Sequence, residues 1–335
     1  MVRAGWALAF TAVVVVALIV VGVILHTHTP GGSYVIRAAT LQGGISTLDL
    51  IEAENLTAKY GYPLKVERFQ ETPEIIAAIA KGEADLAVVP AEMAAKLIET
   101  QGGVVIVAAE MLQNQAIIAK DNSIKSPLDL KGKLVGAVIA SGTYKLFKAY
   151  MEVVYGVPVV EGEKPAPDRV TVVNVPPGSI LDALSTGSVD AAVIWEPIVS
   201  EGIARGFHVV APFTQLWRDA ESKTNVTGSP IMLVWIARED FVKQHPDALR
   251  AFLKAREDAV RIWRSNPDLV FHVLSRLYHI DRGTFNILYK RVALTSGPLD
   301  EDMVKSIYSE WWLAWRGGYL PKPPSSIGRS VFYWG

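Results

Sequence analysis

From Tyr34 onward the chain shows two kinds of apolar pattern. Short unbroken runs such as ADLAVVP (84–90), GVVIVAAE (103–110), KLVGAVI (133–139) and VDAAVIWEP (189–197) read as strands covered on both faces, because polar residues do not alternate with apolar ones. Between them lie segments with apolar residues at helical spacing, such as AEMAAKLIETQG (91–102) and YKLFKAYMEVVYG (144–156). Gly61, Gly82, Gly156 and Gly187 stand where such segments end, as a left-handed helix cap requires.

The pattern is written twice. Strand 34–41, loop QGGIS, a helical run to Gly61, strand 64–69, helix 74–82, strand 84–90, helix 91–102 and strand 103–110 form the first copy. Strand 133–139, loop ASGT, helix 144–156, strand 169–175, helix 180–187, strand 189–197, helix 198–206 and strand 207–213 form the second. The clearest correspondence is GEADLAVVPAE (82–92) with GSVDAAVIWEP (187–197). Two α/β lobes of one plan follow, each a mostly parallel sheet flanked by helices. Asp85 and Asp190 open equivalent strands, where an aspartate accepts backbone N–H bonds in a tight turn. The far ends of those strands are where open α/β sheets hold ligands.

Before Tyr34 the pattern is different. WALAFTAVVVVALIVVGVIL (6–25) carries no charge and is long enough to span a bilayer as one helix. Arg3 would stay inside, giving a stub (1–5), an anchor (6–25) and a stalk (26–33) outside the membrane. A cleaved signal segment is the rival reading, but its apolar core is usually shorter, about 7–15 residues. The sequons at Asn55 and Asn225 fall on the outer side.

With 335 residues, half of them apolar, the chain can bury a large core. A net charge of −1 gives no field to recruit nucleic acid. The absence of cysteine excludes disulfides, thiolate metal sites and thiol nucleophiles. The six histidines show no metal-ligand spacing, and no phosphate-binding, dinucleotide or nucleophile-elbow motif occurs, so neither metal nor cofactor is expected.

LQGG (41–44), GEADLAVVP, SPLDLKGKLVGAVIASGTYKLF (126–147), ALSTGSVDAAVIWEP (183–197) and REDFVKQHPDALRAFLKAREDAVRIWRSNPDLV (238–270) resemble, in order and spacing, the extracytoplasmic solute-binding proteins of nitrate/sulfonate/taurine-type ABC importers. The likeness covers about Tyr34 to Tyr319. It implies a two-lobed type II periplasmic-binding-protein fold, shared with thiamine-pyrimidine-synthesis-like proteins. Lobe 1 would comprise 34–117 and 230–335 and lobe 2 would comprise 118–229, with the chain returning through PIMLVWIA (230–237). Helices after Asp240 would pack on lobe 1, and the proline-rich tail (321–335) would wrap its surface. The resemblance further implies no enzymatic activity, a monomer, and two partners, an ABC permease and its ATPase. The same-fold enzymes of thiamine-pyrimidine or menaquinone-precursor synthesis are the alternative; the pyrimidine branch carries a cysteine cluster that this chain lacks.

Five loops would then meet around a ligand: Gln42-Gly43-Gly44, Pro90-Ala91-Glu92, Gln113-Asn114, Ser141-Gly142-Thr143-Tyr144 and Trp195-Glu196. The glycines admit close backbone approach. Ser141 and Thr143 open a helix, either as an anion pocket or as a plain cap. Trp195 reads as a stacking wall or as core. With no arginine in the five loops, a multiply charged phosphate is disfavoured. A small monoanion (a sulfonate, nitrate or bicarbonate) and an amine-bearing or heterocyclic ligand, such as a pyrimidine, paired with Glu196 both remain open.

Overall fold

The aspartates that open the repeated strands tie each one to its neighbour rather than to its own turn. In the computed structural model, which describes residues 34–334, Asp85 accepts the Arg37 backbone N–H at 3.0 Å, and Asp190 accepts that of Leu134 at 2.8 Å. The return bonds match: the Asp85 and Asp190 N–H groups donate to the Arg37 and Leu134 carbonyls, both at 2.8 Å. Each aspartate thus joins two strands, which corrects the reading of a bond within the turn.

The first copy supplies β1 (Ile36–Leu41), β2 (Leu64–Phe69), β3 (Leu86–Pro90) and β4 (Val104–Leu112). The chain then crosses to a second sheet made of β5 (Ala116–Ala119), β6 (Leu134–Ala137), β7 (Val159–Glu161), β8 (Val170–Asn174), β9 (Ala191–Ile194) and β10 (His208–Pro212). It returns as β11 (Ile231–Arg238). The sheet orders are β2-β1-β3-β11-β4 and β10-β5-β9-β6-β8-β7. Read from the other edge, the second repeats the first, with β8-β6-β9-β5-β10 as its counterpart and β7 added outside. Every pair along β2-β1-β3 and β9-β6-β8-β7 is parallel. The two strands that follow a crossing, β5 and β11, run antiparallel to both neighbours. In each sheet every strand but one, β11 in the first and β5 in the second, therefore points the same way.

Two apolar cores result. One gathers Val89, Ile106, Val234, Ile307 and Trp311 around the first sheet, and the other gathers Val135, Phe147, Val193, Phe213 and Trp217 around the second. Four details depart from the sequence reading. The run ending at Gly61 is a short helix, Thr47–Ala53, followed by a separate turn, because Asn55 adopts a left-handed conformation (φ 50°). Strand β7 and the helices Phe213–Lys223 and Arg282–Arg291 are additional elements. The tail is anchored rather than merely wrapped: Tyr333 N–H donates to the Ile106 carbonyl at 2.9 Å, and Phe332 stacks on Trp311. The C-terminal helices also reach beyond the first sheet: Arg282–Arg291 packs on Ile198–Ala204, and Glu301–Arg316 packs on Gly142–Ala149.

Among the described residues no helix is long and apolar enough to cross a membrane. The expected anchor (6–25) and stalk lie outside the described residues.

Candidate functional site

The carboxyl ends of β3 and β9, the equivalent central strands, open onto one cleft between the sheets. It is lined from the first half by Thr40, Leu41, Gly44, Ile45, Thr72, Ile75, Val88, Pro90, Met232 and Leu233. The crossing segment contributes Asn114 and Gln115, and the second half contributes Ser141, Gly142, Thr143, Trp195 and Glu196. The centre of a water molecule can reach about 50 Å³ of it. At about 10–15 Å³ per water site this is room for roughly three to five water-sized groups. In this conformation the cleft suits a small molecule and not a nucleotide.

Direct contacts across the cleft hold the halves together. The Trp195 indole N–H, beyond β9, donates to the Gly43 carbonyl, beyond β1, at 3.2 Å. Gly43 is free to present that carbonyl because it adopts φ 80°. Gly142 lies so close to the first half that a Cβ built on it would strike Glu92 Oε1 and come within 2.6 Å of Pro90 Cβ. Glu196, 1% exposed, accepts from Arg291 Nε, and its other oxygen accepts the Ser200 N–H at 3.1 Å. Arg291 also donates to the Asn114 carbonyl at 3.1 Å. Burial pushes the Glu196 carboxyl up, and Arg291 opposes that shift without cancelling it.

The helix Gly142–Ala149 begins at the cleft. Ser141 is its cap: the Ser141 hydroxyl accepts the Tyr144 N–H at 3.2 Å and donates to the Val138 carbonyl. That leaves the Gly142 and Thr143 N–H groups without an intrahelical acceptor at the cleft wall. Gln115 stands out among the lining residues. It is 2% exposed, and its side-chain carbonyl has no hydrogen-bond partner among the described residues. A buried amide left unpaired costs about 1–3 kcal/mol unless something entering the cleft pairs with it.

Of the expected site residues, Gly44, Pro90, Asn114, Ser141, Gly142, Thr143, Trp195 and Glu196 line the cleft. Gln42, Gly43, Ala91, Gln113 and Tyr144 do not. Gln42 is exposed and bonded to Gln70. Gly43 acts through its carbonyl on Trp195. Ala91 is buried, and its carbonyl accepts from the Trp311 indole. Gln113 turns inward, donating to Glu310 at 3.2 Å and accepting from Tyr150 at 2.8 Å. Tyr144 packs into the second core, and its N–H is spent on Ser141.

Sequence reasoning missed Gln115 and Arg291. Gln115 was adjacent to the expected pair, and only the turn of the crossing segment decides which amide faces the cleft. Arg291 ends a helix that the sequence reading passed over, which is why the site was expected to lack a guanidinium.

A pair of sheets of matching order, joined by two crossings and closed over a cleft at the strand ends, is a periplasmic-binding-protein fold. Solved structures agree. The alkanesulfonate-binding protein SsuA from Xanthomonas axonopodis pv. citri superposes with a TM-score of 0.71 at 14% identity, over 90% of this chain and 98% of that one. The aliphatic sulphonate-binding SsuA from Escherichia coli gives 0.69 at 18% identity, over 86% and 89%. Residues 61–269 match the family described as NMT1/THI5 like, and the chain belongs to that family. The taurine-binding periplasmic protein of Escherichia coli (strain K12) is 28% identical over 223 residues, 65% of this chain. The match spans 63% of that relative's own length.

Proposed function

We propose that the chain is the solute-binding component of an ABC importer, which takes a small organic sulfonate of the taurine or alkanesulfonate type into the cleft between its sheets. The observation that carries this reading is the composition of the cleft. It offers the first N–H groups of a helix and the Thr143 hydroxyl as donors to an anion, and the unpartnered Gln115 carbonyl as an acceptor for a ligand ammonium such as that of taurine, set among apolar side chains. Its one charged lining residue among those described, Glu196, is matched by Arg291. Neutral donors at a helix start suit a monoanion. A doubly charged phosphate would call for an unpaired guanidinium. The Arg291–Glu196 pair also weakens the idea of a cationic heterocycle held by Glu196, since that carboxylate already has its cation. The names of the sulfonate- and taurine-binding relatives support the same ligand class.

Binding would stabilise the closed form by bridging both halves, and a permease with its ATPase would read that form on the outer face of the membrane. The protein works as a binder, not an enzyme, and as a monomer in this reading. A thermal-shift screen of the full-length protein in detergent against taurine, alkanesulfonates, nitrate, bicarbonate, pyrimidines and flavins tests it. A ligand at a hundred times its dissociation constant adds about 2.7 kcal/mol. Stabilisation by sulfonates is expected; stabilisation by pyrimidines alone would favour the synthesis-type branch of the family instead.

A further inference from the structure

Behind the cleft wall lie two carboxyl groups that ligand capture, as described above, does not use. Glu92 begins the helix that follows β3, and Glu310 sits on the helix Glu301–Arg316; both are fully buried. Neither takes part in an ion pair among the described residues. Both Glu92 oxygens and Glu310 Oε1 receive no donor among the described residues, and the two carboxyls lie close enough for each to shift the protonation of the other. The fourth oxygen, Glu310 Oε2, accepts from Gln113 in the crossing segment, which in turn accepts from Tyr150 in the second half.

Two buried carboxyls this close without a cation cannot both be ionised, so the pair keeps a proton. The groups around them are consistent with this. Tyr150 and Tyr319 face the pair as neutral phenols, their hydroxyls held well above the ordinary range by burial and by these carboxyls. Lys96, on the same helix as Glu92, lies over the Tyr319 ring at 4.5 Å, and Lys145 from the second half approaches the same ring at 6.0 Å. Glu92 Oε1 abuts Gly142, which belongs to the opposite half and to the cleft wall.

We infer that closing the clamp takes up a proton, held between Glu92 and Glu310 only while Gly142 seals Glu92 from water. When the halves separate, water reaches Glu92, its carboxyl returns towards the ordinary range, and the proton is lost at neutral pH. The sign follows. The closed form binds the extra proton, so it is favoured as pH falls, and above the titration of the pair its population drops relative to the open form. One proton released per opening changes the open-to-closed ratio tenfold for each pH unit.

The absence of cysteine lets two introduced labels report this without competition. With Ala77→Cys on the helix Thr72–Ala80 and Ser179→Cys at the N-cap of the equivalent helix Ile180–Thr186, both exposed sites, spin-label distances are measured on the full-length protein without ligand at about pH 6 and about pH 8.5. The short distance should dominate at the lower pH, and the long one should grow at least tenfold at the higher. Adding Glu92→Gln, which removes the carboxyl that opening exposes and keeps a hydrogen-bonding group of the same size, should make the distribution independent of pH. Equal distributions at both pH values in the parent protein would overturn the inference even if the Gln variant failed to fold, and so would an unchanged pH response in that variant.

Discussion

On the proposed clamp function, Gly142→Ala separates a contact made only on closure from one made within either half. Gly142 has an ordinary helical backbone at the first position of its helix, so alanine is tolerated there and improves helix propensity by up to about 1 kcal/mol. In the closed form the new methyl has no space. It meets Glu92 Oε1, which belongs to a side chain able to shift, and Pro90 Cβ at 2.6 Å and Cγ at 2.8 Å, in a ring that cannot. Overpacking of this kind costs about 1–3 kcal/mol. An opening clamp relieves that cost, so it falls on closure, and hence on binding, and not on folding. At 1.4 kcal/mol per decade the apparent dissociation constant of the sulfonate that stabilises the parent protein best should rise roughly 5- to 150-fold. The melting temperature without ligand should change by no more than a few degrees. Titration calorimetry and thermal unfolding of parent and variant measure the two quantities. Unchanged affinity would refute the reasoning, and so would a large loss of stability with affinity preserved, since Gly142 would then pack against Pro90 in every conformation.

Three further outcomes follow from the same geometry. Trp195→Phe keeps an aromatic wall but removes the bond to Gly43, so affinity should fall by the worth of one neutral hydrogen bond, about 0.5–1.5 kcal/mol, in calorimetry. Glu196→Gln weakens the charge-assisted bond from Arg291, worth about 1.5–3 kcal/mol, and should lower the melting temperature as well as affinity, because this carboxylate holds the halves together. Asp190→Asn should lower the melting temperature by a few degrees and leave affinity within twofold, since the carboxylate serves the β6–β9 junction at the end of the sheet opposite the cleft.

The repeat was legible because a parallel sheet buried on both faces leaves a strong local mark: unbroken apolar runs, helix-ending glycines and an aspartate at each central strand. Those features recovered the sheet plan and the returning strand β11. Local pattern failed where position depends on distant partners. Nothing near Gln113 and Gln115 tells which amide turns towards Glu310 and which towards the cleft. Tyr144 follows two cleft residues, yet one further step around the helix carries it into the core. Arg291 reaches Glu196 across 95 positions of sequence, from a helix whose ten residues carry a weak apolar pattern. Glu196, expected to await a ligand, is already paired for the same reason.

Gln115→Leu tests the central claim most directly. The substitution keeps the size of the side chain and removes an amide whose carbonyl has no partner among the described residues. Calorimetric titration of taurine, whose ammonium is a donor for that carbonyl, into the full-length parent and variant should show saturable binding in the parent that weakens at least tenfold in the variant. The unliganded variant should be no less stable, because leucine carries no polar group to leave unpaired. Equal affinity in the two proteins, or no sulfonate binding in the parent, would contradict the account.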